Sequence, residues 1–383
     1  MSNRLEGTIK DVFNEMADAL ETSNLGPKLK IGLTIDGSEH GLDNMHQAIK
    51  LAQAHQLFDI VVIGTDVNWK GVEVVTTTCE ADNAAKMEEL LATGYIQACV
   101  TLHYTFPIGV STVGRVVTPA LGKEMFISTT TGTASSHRSE AMLLNAINGI
   151  IAAKASGIEQ PTLGILNVDG AHTVERALKT LANNGYPIHF AESQRSDGGV
   201  VMRGNDLLYG SVDVMVCDSL TGNLLMKMFS AFNTGGNYEA TGYGYGPGIG
   251  QDYQQTILII SRASGAAVIA NALVYGYQLA RGKLGDVSRR EYTLAKKAKL
   301  TDICQSLYPK PSGESQAIPT PEKEVVTAEI NGIDVMELDN AVKSLWKEGI
   351  YAESGMGCTG PIVLVNEEKI NQSKENLVKA AFL

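Results

Sequence analysis

Short apolar runs alternate with longer stretches of helical period through most of the chain, the pattern of βαβ units and a mainly parallel sheet. Runs at 28–36 (KLKIGLTID), 59–64 (DIVVIG), 98–102 (ACVTL), 124–129 (EMFIST), 162–168 (TLGILNV), 212–218 (VDVMVCD) and 256–261 (TILIIS) predict strands, with helices between them. Several strands end in a small or polar residue and pass at once into a helix start, as at Asn167-Val168-Asp169-Gly170 and Cys217-Asp218-Ser219. Ligands of open α/β sheets sit at such carboxyl ends, so the site is expected there. Near the N-terminus Ile9, Phe13, Met16 and Leu20 recur at helical spacing with acids among them. That predicts an amphipathic helix and not a signal peptide.

The period breaks after Tyr308, where PKPSGESQAIPTPEKE, residues 309–324, packs four prolines and several charges with no apolar rhythm. It reads as a linker. The expected organisation is therefore an α/β body over 1–308, the linker over 309–324 and a C-terminal segment over 325–383. This last segment shows a helix near MELDNAVKSLWKEGI, a glycine-rich turn, a strand PIVLV and a closing helix. At this size it is expected to lack a substantial core of its own and to dock on the body.

With 383 residues and 44% hydrophobic composition the chain can bury a sizeable core. Its net charge of −11 and lack of a basic run argue against nucleic acid or an anionic membrane as partner. No run of 18 apolar residues occurs, so no spanning helix is expected and the location is expected to be cytoplasmic. Five cysteines, with no C-x-x-C pair and no histidine at ligand spacing, indicate neither a disulfide framework nor a metal site. Free thiols in a reducing compartment are available for chemistry.

The most specific chemical signal is SGMGCTGP, 354–361. Glycines 355, 357 and 360 remove bulk around Cys358 and permit positive φ, so that amide N–H groups converge as a nest on a thiolate or oxyanion. Gly357 and Thr359 flank the sulfur in this turn. A tight turn with Cys358 as buried filler is the plainer reading. The second signal is CDSLTGNLLMKMF, 217–229, where a helix starts at a strand's carboxyl end. Its first turn, Asp218, Thr221, Gly222 and Asn223, suits a bound phosphate, and Lys227 lies on the face of Asn223 to add charge. Simple capping by the same residues is the competing reading. The glycine- and tyrosine-rich stretch 234–253 reads as a lid or substrate-lining loop, and its glycines lack the context of a dinucleotide fingerprint. Lesser candidates are TTTGTASSHR (129–138) and SRASG (261–265), offering His137, Arg138 and Arg262; His103 stays undecided, and Cys99 and Cys217 read as core.

Two resemblances follow from these residues. LGILN (163–167), GNDLLYGSVDVMVCDSLTGNLLMK (204–227) and SGAAVIANALVYG (264–276) resemble the phosphate acyltransferases of phospholipid synthesis, over roughly residues 95–285. Over its full length, including GMGCTGPIVLV, the chain resembles the α subunits of component C of glycine, sarcosine or betaine reductase. The resemblance implies a three-layer, mostly parallel α/β sheet of the phosphate acyltransferase and isocitrate dehydrogenase kind, with a small α+β extension. It implies an acetyl thioester on Cys358, formed from carboxymethyl-selenoprotein A and released to phosphate as acetyl phosphate. Phosphate is then a co-substrate and no cofactor or metal is expected; Asp218, Thr221, Gly222, Asn223, Lys227, Arg262 and His137 are the candidate phosphate or substrate ligands. The implied partners are selenoprotein A and a ketoacyl synthase-like β subunit, in a hetero-oligomer. A direct phosphate acyltransferase without a covalent cysteine, and a non-catalytic scaffold subunit, are the alternatives.

Overall fold

A computed structural model describes residues 28–194, 198–308, 318–334, 337–357 and 360–383. The expected N-terminal helix, most of the linker (309–317) and the pair Cys358-Thr359 lie outside the described residues; 318–327 carries neither helix nor strand.

Twelve strands build one sheet: β1 (Lys30–Thr34), β2 (Asp59–Gly64), β3 (Glu73–Thr76), β4 (Ala98–Thr101), β5 (Val110–Val117), β6 (Glu124–Thr133), β7 (Thr162–Leu166), β8 (His189–Phe190), β9 (Val201–Met202), β10 (Val214–Val216), β11 (Gly246–Ile249) and β12 (Ile257–Ile259). The helices of the body are α1 (Gly41–Gln53), α2 (Glu80–Ala92), α3 (Arg138–Ala155), α4 (Ala171–Asn183), α5 (Gly204–Tyr209), α6 (Ser219–Ala231), α7 (Ala266–Arg281), α8 (Leu284–Lys297) and α9 (Leu300–Ser306). All seven strands expected from the apolar runs are present. Strand order is β3-β2-β1-β4-β12-β11-β5-β6-β10-β7-β8, with β9 also on β7.

Pairing is parallel everywhere except across β12–β11, β11–β5 and β5–β6. Three successive reversals leave the two parallel blocks running in opposite senses. Successive side chains alternate between faces, and the buried residues sort accordingly. Ile60 and Val62 join a large core with Met45 of α1, Ile147 of α3, Leu178 of α4 and Leu273 of α7. Val61 and Ile63 point the other way, to Met87 and Leu90 of α2. On that second face, over β5, β6 and β10, α5 and α6 cover Met125, Ile127 and Met215 through Leu207 and Met226. Helices on both faces give the three layers.

The stretch 234–253 departs in part from expectation: Tyr245 lines a cavity at the sheet's edge, as a substrate-lining loop would, but Gly246–Ile249 is the buried strand β11 at the centre of the sheet. Glycine is required there because a Cβ on Gly246, whose φ is +86°, would stand 1.7 Å from the Val113 carbonyl oxygen. The C-terminal segment also departs from expectation. β13 (Ala328–Asn331), α10 (Leu338–Lys347), β14 (Ala352–Gly357), β15 (Gly360–Val365) and α11 (Ile370–Lys379) form an antiparallel sheet, order β13-β15-β14, under two helices. They enclose a core of their own, including Ile330, Leu345, Val363 and Leu377. Both helices are strongly amphipathic, which lets so short a segment bury a continuous apolar face.

Candidate functional site

A cavity of about 500 Å3 opens where the sheet changes direction. Leu102 and Ser261, just past β4 and β12, line it from one parallel block; Thr131 and Gly132, at the end of β6, line it from the other. The loop after β4 contributes His103, Tyr104 and Phe106, and α6 contributes Asn223 and Lys227. Ligands of open α/β sheets sit outside the carboxyl ends of strands, and those of β4, β12 and β6 all border this cavity.

The start of α6 is more occupied than its sequence suggests. Asp218 is the N-cap, and its carboxylate accepts from the Thr221 backbone N–H at 3.0 Å and from the Thr221 hydroxyl at 2.7 Å. Arg138 pairs with the same carboxylate at 3.1 Å. Burial alone would raise the Asp218 carboxyl, but the Thr221 hydrogen bonds and the Arg138 charge outweigh it and hold the pKa below its ordinary value. An anion of the chain itself therefore sits at the first turn. The positive potential that remains lies one turn further on. Asn223 donates to the Thr130 carbonyl at 3.1 Å, and the Lys227 ammonium stands 5.5 Å from the centre of the Tyr245 ring. Lys227 has no carboxylate partner among the described residues. Gly222 serves packing, because a Cβ there would fall 1.7 Å from the Thr129 carbonyl oxygen.

Two other candidates lie outside the cavity lining. His137 caps α3, accepting from the Glu140 N–H at 3.4 Å, and its ring packs on Tyr308 at 4.7 Å. Arg262 reaches the other way, to Glu80 and the Gly37 carbonyl. Both have partners of their own, His137 the Glu140 N–H and Arg262 the Glu80 carboxylate, where the sequence offered a base or cation.

Behind the cavity lies a buried polar network that sequence reasoning missed. Asn145 accepts from the Ser111 hydroxyl at 2.9 Å and donates to the Cys217 carbonyl at 3.2 Å. Asn148 donates to the Ser111 oxygen and accepts from the Tyr292 hydroxyl at 2.7 Å. On the sheet itself, Thr130 donates to the Tyr245 carbonyl at 2.7 Å, and Thr129 to that of Thr112 at 2.6 Å. The readable signal was Asn145 and Asn148, three apart in the otherwise apolar stretch AMLLNAINGII, hence on one buried face. The network fixes the ends of β6 and β10 from which the cavity and α6 begin. Asn145→Ala leaves the Ser111 hydroxyl and the Cys217 carbonyl short of a partner in a dry site, so a loss of about 2–4 kcal/mol is expected in urea unfolding. A loss under about 0.5 kcal/mol would show that the network carries little.

The thiols divide clearly. Burial raises Cys99 and Cys217 far above the ordinary thiol value, and it pushes Cys304 up to about 12, with Glu140 adding to the effect. None of these forms a thiolate readily. Cys79 is exposed at the start of α2. Cys358 and Thr359 lie outside the described residues, but their frame is described: Gly357 pairs with Gly360 across β14 and β15, with only those two positions between. Gly355 is paired with Ile362 in an extended strand, not in the left-handed region, so it does not contribute to the glycine nest expected from sequence. The C-terminal segment meets the body beyond the carboxyl end of β7: Arg176 of α4 pairs with Glu337 at 2.6 Å and donates to the Phe382 carbonyl at 3.2 Å. No helix among the described residues is long and apolar enough to cross a membrane.

Comparison with known proteins adds the following. The family model described as "Fatty acid synthesis protein" matches residues 29–364. The glycine/sarcosine/betaine reductase complex component C subunit alpha of Peptoclostridium acidaminophilum is 57% identical over 378 residues, 98% of each chain. A phosphate acyltransferase of Geobacillus sp. (strain WCH70) is 30% identical over 155 residues, 37% of this chain and 46% of that one. Among solved structures, a branched-chain phosphotransacylase from Enterococcus faecalis V583 superposes with a TM-score of 0.46 at 17% identity, covering 66% of this chain and 99% of the other.

Proposed function

The chain belongs to the fatty acid synthesis protein family, and from that premise we propose that it is an acyltransferase subunit that carries acetyl on the Cys358 thiol and yields it to phosphate. Its 57% identity to a component C alpha subunit supports a role within a multi-component reductase complex. By that likeness the acetyl originates as a carboxymethyl group on selenoprotein A, which supplies the two electrons and is left oxidised as water is lost and the thioester forms, and a ketoacyl synthase-like β subunit completes the component. In the releasing step a phosphate oxygen attacks the thioester carbonyl, the carbon–sulfur bond breaks, and the electron pair returns to sulfur as thiolate. Phosphate dianion is a sufficient nucleophile for a thioester, so the protein's task is positioning.

The observation that carries this reading is the Lys227 ammonium in the cavity at the sheet's switch point, unpaired with any described carboxylate in a chain of net charge −11. Asn223 from the same helix face supports it. His137, Arg262 and the capped first turn of α6 are engaged elsewhere, which favours Lys227 among the sequence candidates as the phosphate cation. The C-terminal segment meets the body through Arg176 of α4, and the proposed reaction requires the β14–β15 hairpin to bring Cys358 to the cavity during turnover.

The test is exchange of labelled phosphate into acetyl phosphate by the chain, a reaction that needs both the thioester and the anion site. Lys227→Met removes a charge-assisted contact, so the KM for phosphate is expected to rise about 10- to 100-fold while Cys358 still acetylates. An unchanged KM would move the phosphate site elsewhere.

A further inference from the structure

Two residues of the cavity wall share one buried anchor that does not itself line the cavity. Glu239, between α6 and β11, is 4% exposed, and each of its carboxylate oxygens accepts one hydroxyl: Oε1 from Tyr245 at 2.8 Å and Oε2 from Ser264 at 2.7 Å. Its backbone is clamped to the same turn: the Glu239 N–H donates to the Ala263 carbonyl at 3.0 Å, and the Gly265 N–H to the Glu239 carbonyl at 2.8 Å. Tyr245 lines the cavity just before β11. Ser264 passes the contact on, because its oxygen accepts at 3.1 Å from the N–H of Ser261, the cavity residue past β12. Glu239 has no ion-pair partner among the described residues. A carboxylate buried in this way is costly, and a neutral acceptor would hold the Tyr245 hydroxyl at less cost.

We propose that Glu239 is a positioning residue of the phosphate site, holding the Tyr245 ring against which the Lys227 ammonium rests and, through Ser264, the Ser261 amide on the same cavity. The inference rests on Lys227 as the phosphate cation. The Lys227 ammonium stands 5.5 Å from the centre of the Tyr245 ring, whose hydroxyl is bonded to Glu239. Burial, and then the Glu239 charge, raise the Tyr245 phenol well above its ordinary value, so it keeps its proton and donates. Donation to a carboxylate polarises the ring and strengthens its hold on a cation at its face. A carboxylate bonded directly to Lys227 would cover the N–H donors that phosphate needs. Placed one phenol ring away, it supports the ammonium and leaves those donors open. The Tyr245 backbone is fixed independently, its N–H donating to the Ile259 carbonyl at 2.9 Å and its carbonyl accepting from the Thr130 hydroxyl at 2.7 Å. The bond to Glu239 therefore governs the ring and not the strand.

The KM for phosphate in the labelled exchange, measured on variants of the full-length chain, tests this. Glu239→Gln keeps the side chain's size and one acceptor but removes the charge. It is expected to raise that KM about 3- to 20-fold, the range of one cation–π contact with one hydrogen bond, with a smaller change in kcat. Tyr245→Phe keeps the ring and deletes only the hydroxyl, and it is expected to raise KM by a similar factor. The two changes together are expected to cost no more than the larger alone, because they cut the same link. In a Lys227→Met background, Glu239→Gln is expected to add less than about twofold. Where Glu239→Gln fails to fold, the Tyr245→Phe and Lys227→Met pair decides by the same coupling. A merely structural Glu239 predicts lowered stability with fold-changes in KM that multiply. That result, or an unchanged KM in Glu239→Gln and Tyr245→Phe where Lys227→Met raises it, would overturn the role of Glu239 alone. An unchanged KM in Lys227→Met would overturn the phosphate site and this role with it.

Discussion

Cys358→Ser is expected to lower the exchange of labelled phosphate into acetyl phosphate by at least about a thousandfold, because a hydroxyl at neutral pH is a far weaker nucleophile than a thiol. Cys99, Cys217 and Cys304 are buried with raised pKa values, so none of these three is disposed to ionise. Exchange without an added acyl acceptor requires a covalent acyl state, so a direct acyltransferase would show none in either protein. Substantial exchange retained by the serine variant would place the acyl group on another residue. The variant is expected to fold normally, since the core of the C-terminal segment is built from Ile330, Leu345, Val363 and Leu377.

Gly222→Ala is expected to cost more than about 4 kcal/mol, or to prevent folding. The new methyl would lie 1.7 Å from the Thr129 oxygen, 2.8 Å from the Thr129 carbonyl carbon and 3.1 Å from the Cys217 sulfur. The nearest of these atoms belong to backbone that cannot swing aside, so either α6 lifts from β6 or β6 distorts. Both movements also displace Asn223 and Lys227. Chemical unfolding measures the loss; a penalty under about 1 kcal/mol would show that α6 is not pressed on β6 as described.

The seven strands legible in the sequence are those whose apolar runs are unbroken, such as DIVVIG and TILIIS. Of those not legible, β3, β8 and β9 are only two to four residues long, and β5 and β11 bury polar groups or glycines. β5 (VSTVGRVV) carries Ser111 and Thr112 into the core because Asn145, Asn148 and Thr130 are there to bond them, a satisfaction no local pattern announces. β11 (GPGI) reads as a loop because its glycines are present for close backbone approach, which depends on β5 and β12. Of the candidate site, Asn223 and Lys227 were legible from helix position alone. The commitment of Asp218 to Thr221 and Arg138, and of Arg262 to Glu80, was not, since those partners lie far apart in the chain.

The most direct measurement is mass mapping of the chain after incubation with acetyl phosphate, in the reverse of the releasing step. Thiolate attack on the acetyl carbonyl, with loss of phosphate, is predicted to leave a single acetyl group, removable by hydroxylamine, on the peptide containing Cys358. An acetyl group on Cys79 or any other residue, or a chain that catalyses exchange yet carries no adduct, would contradict it.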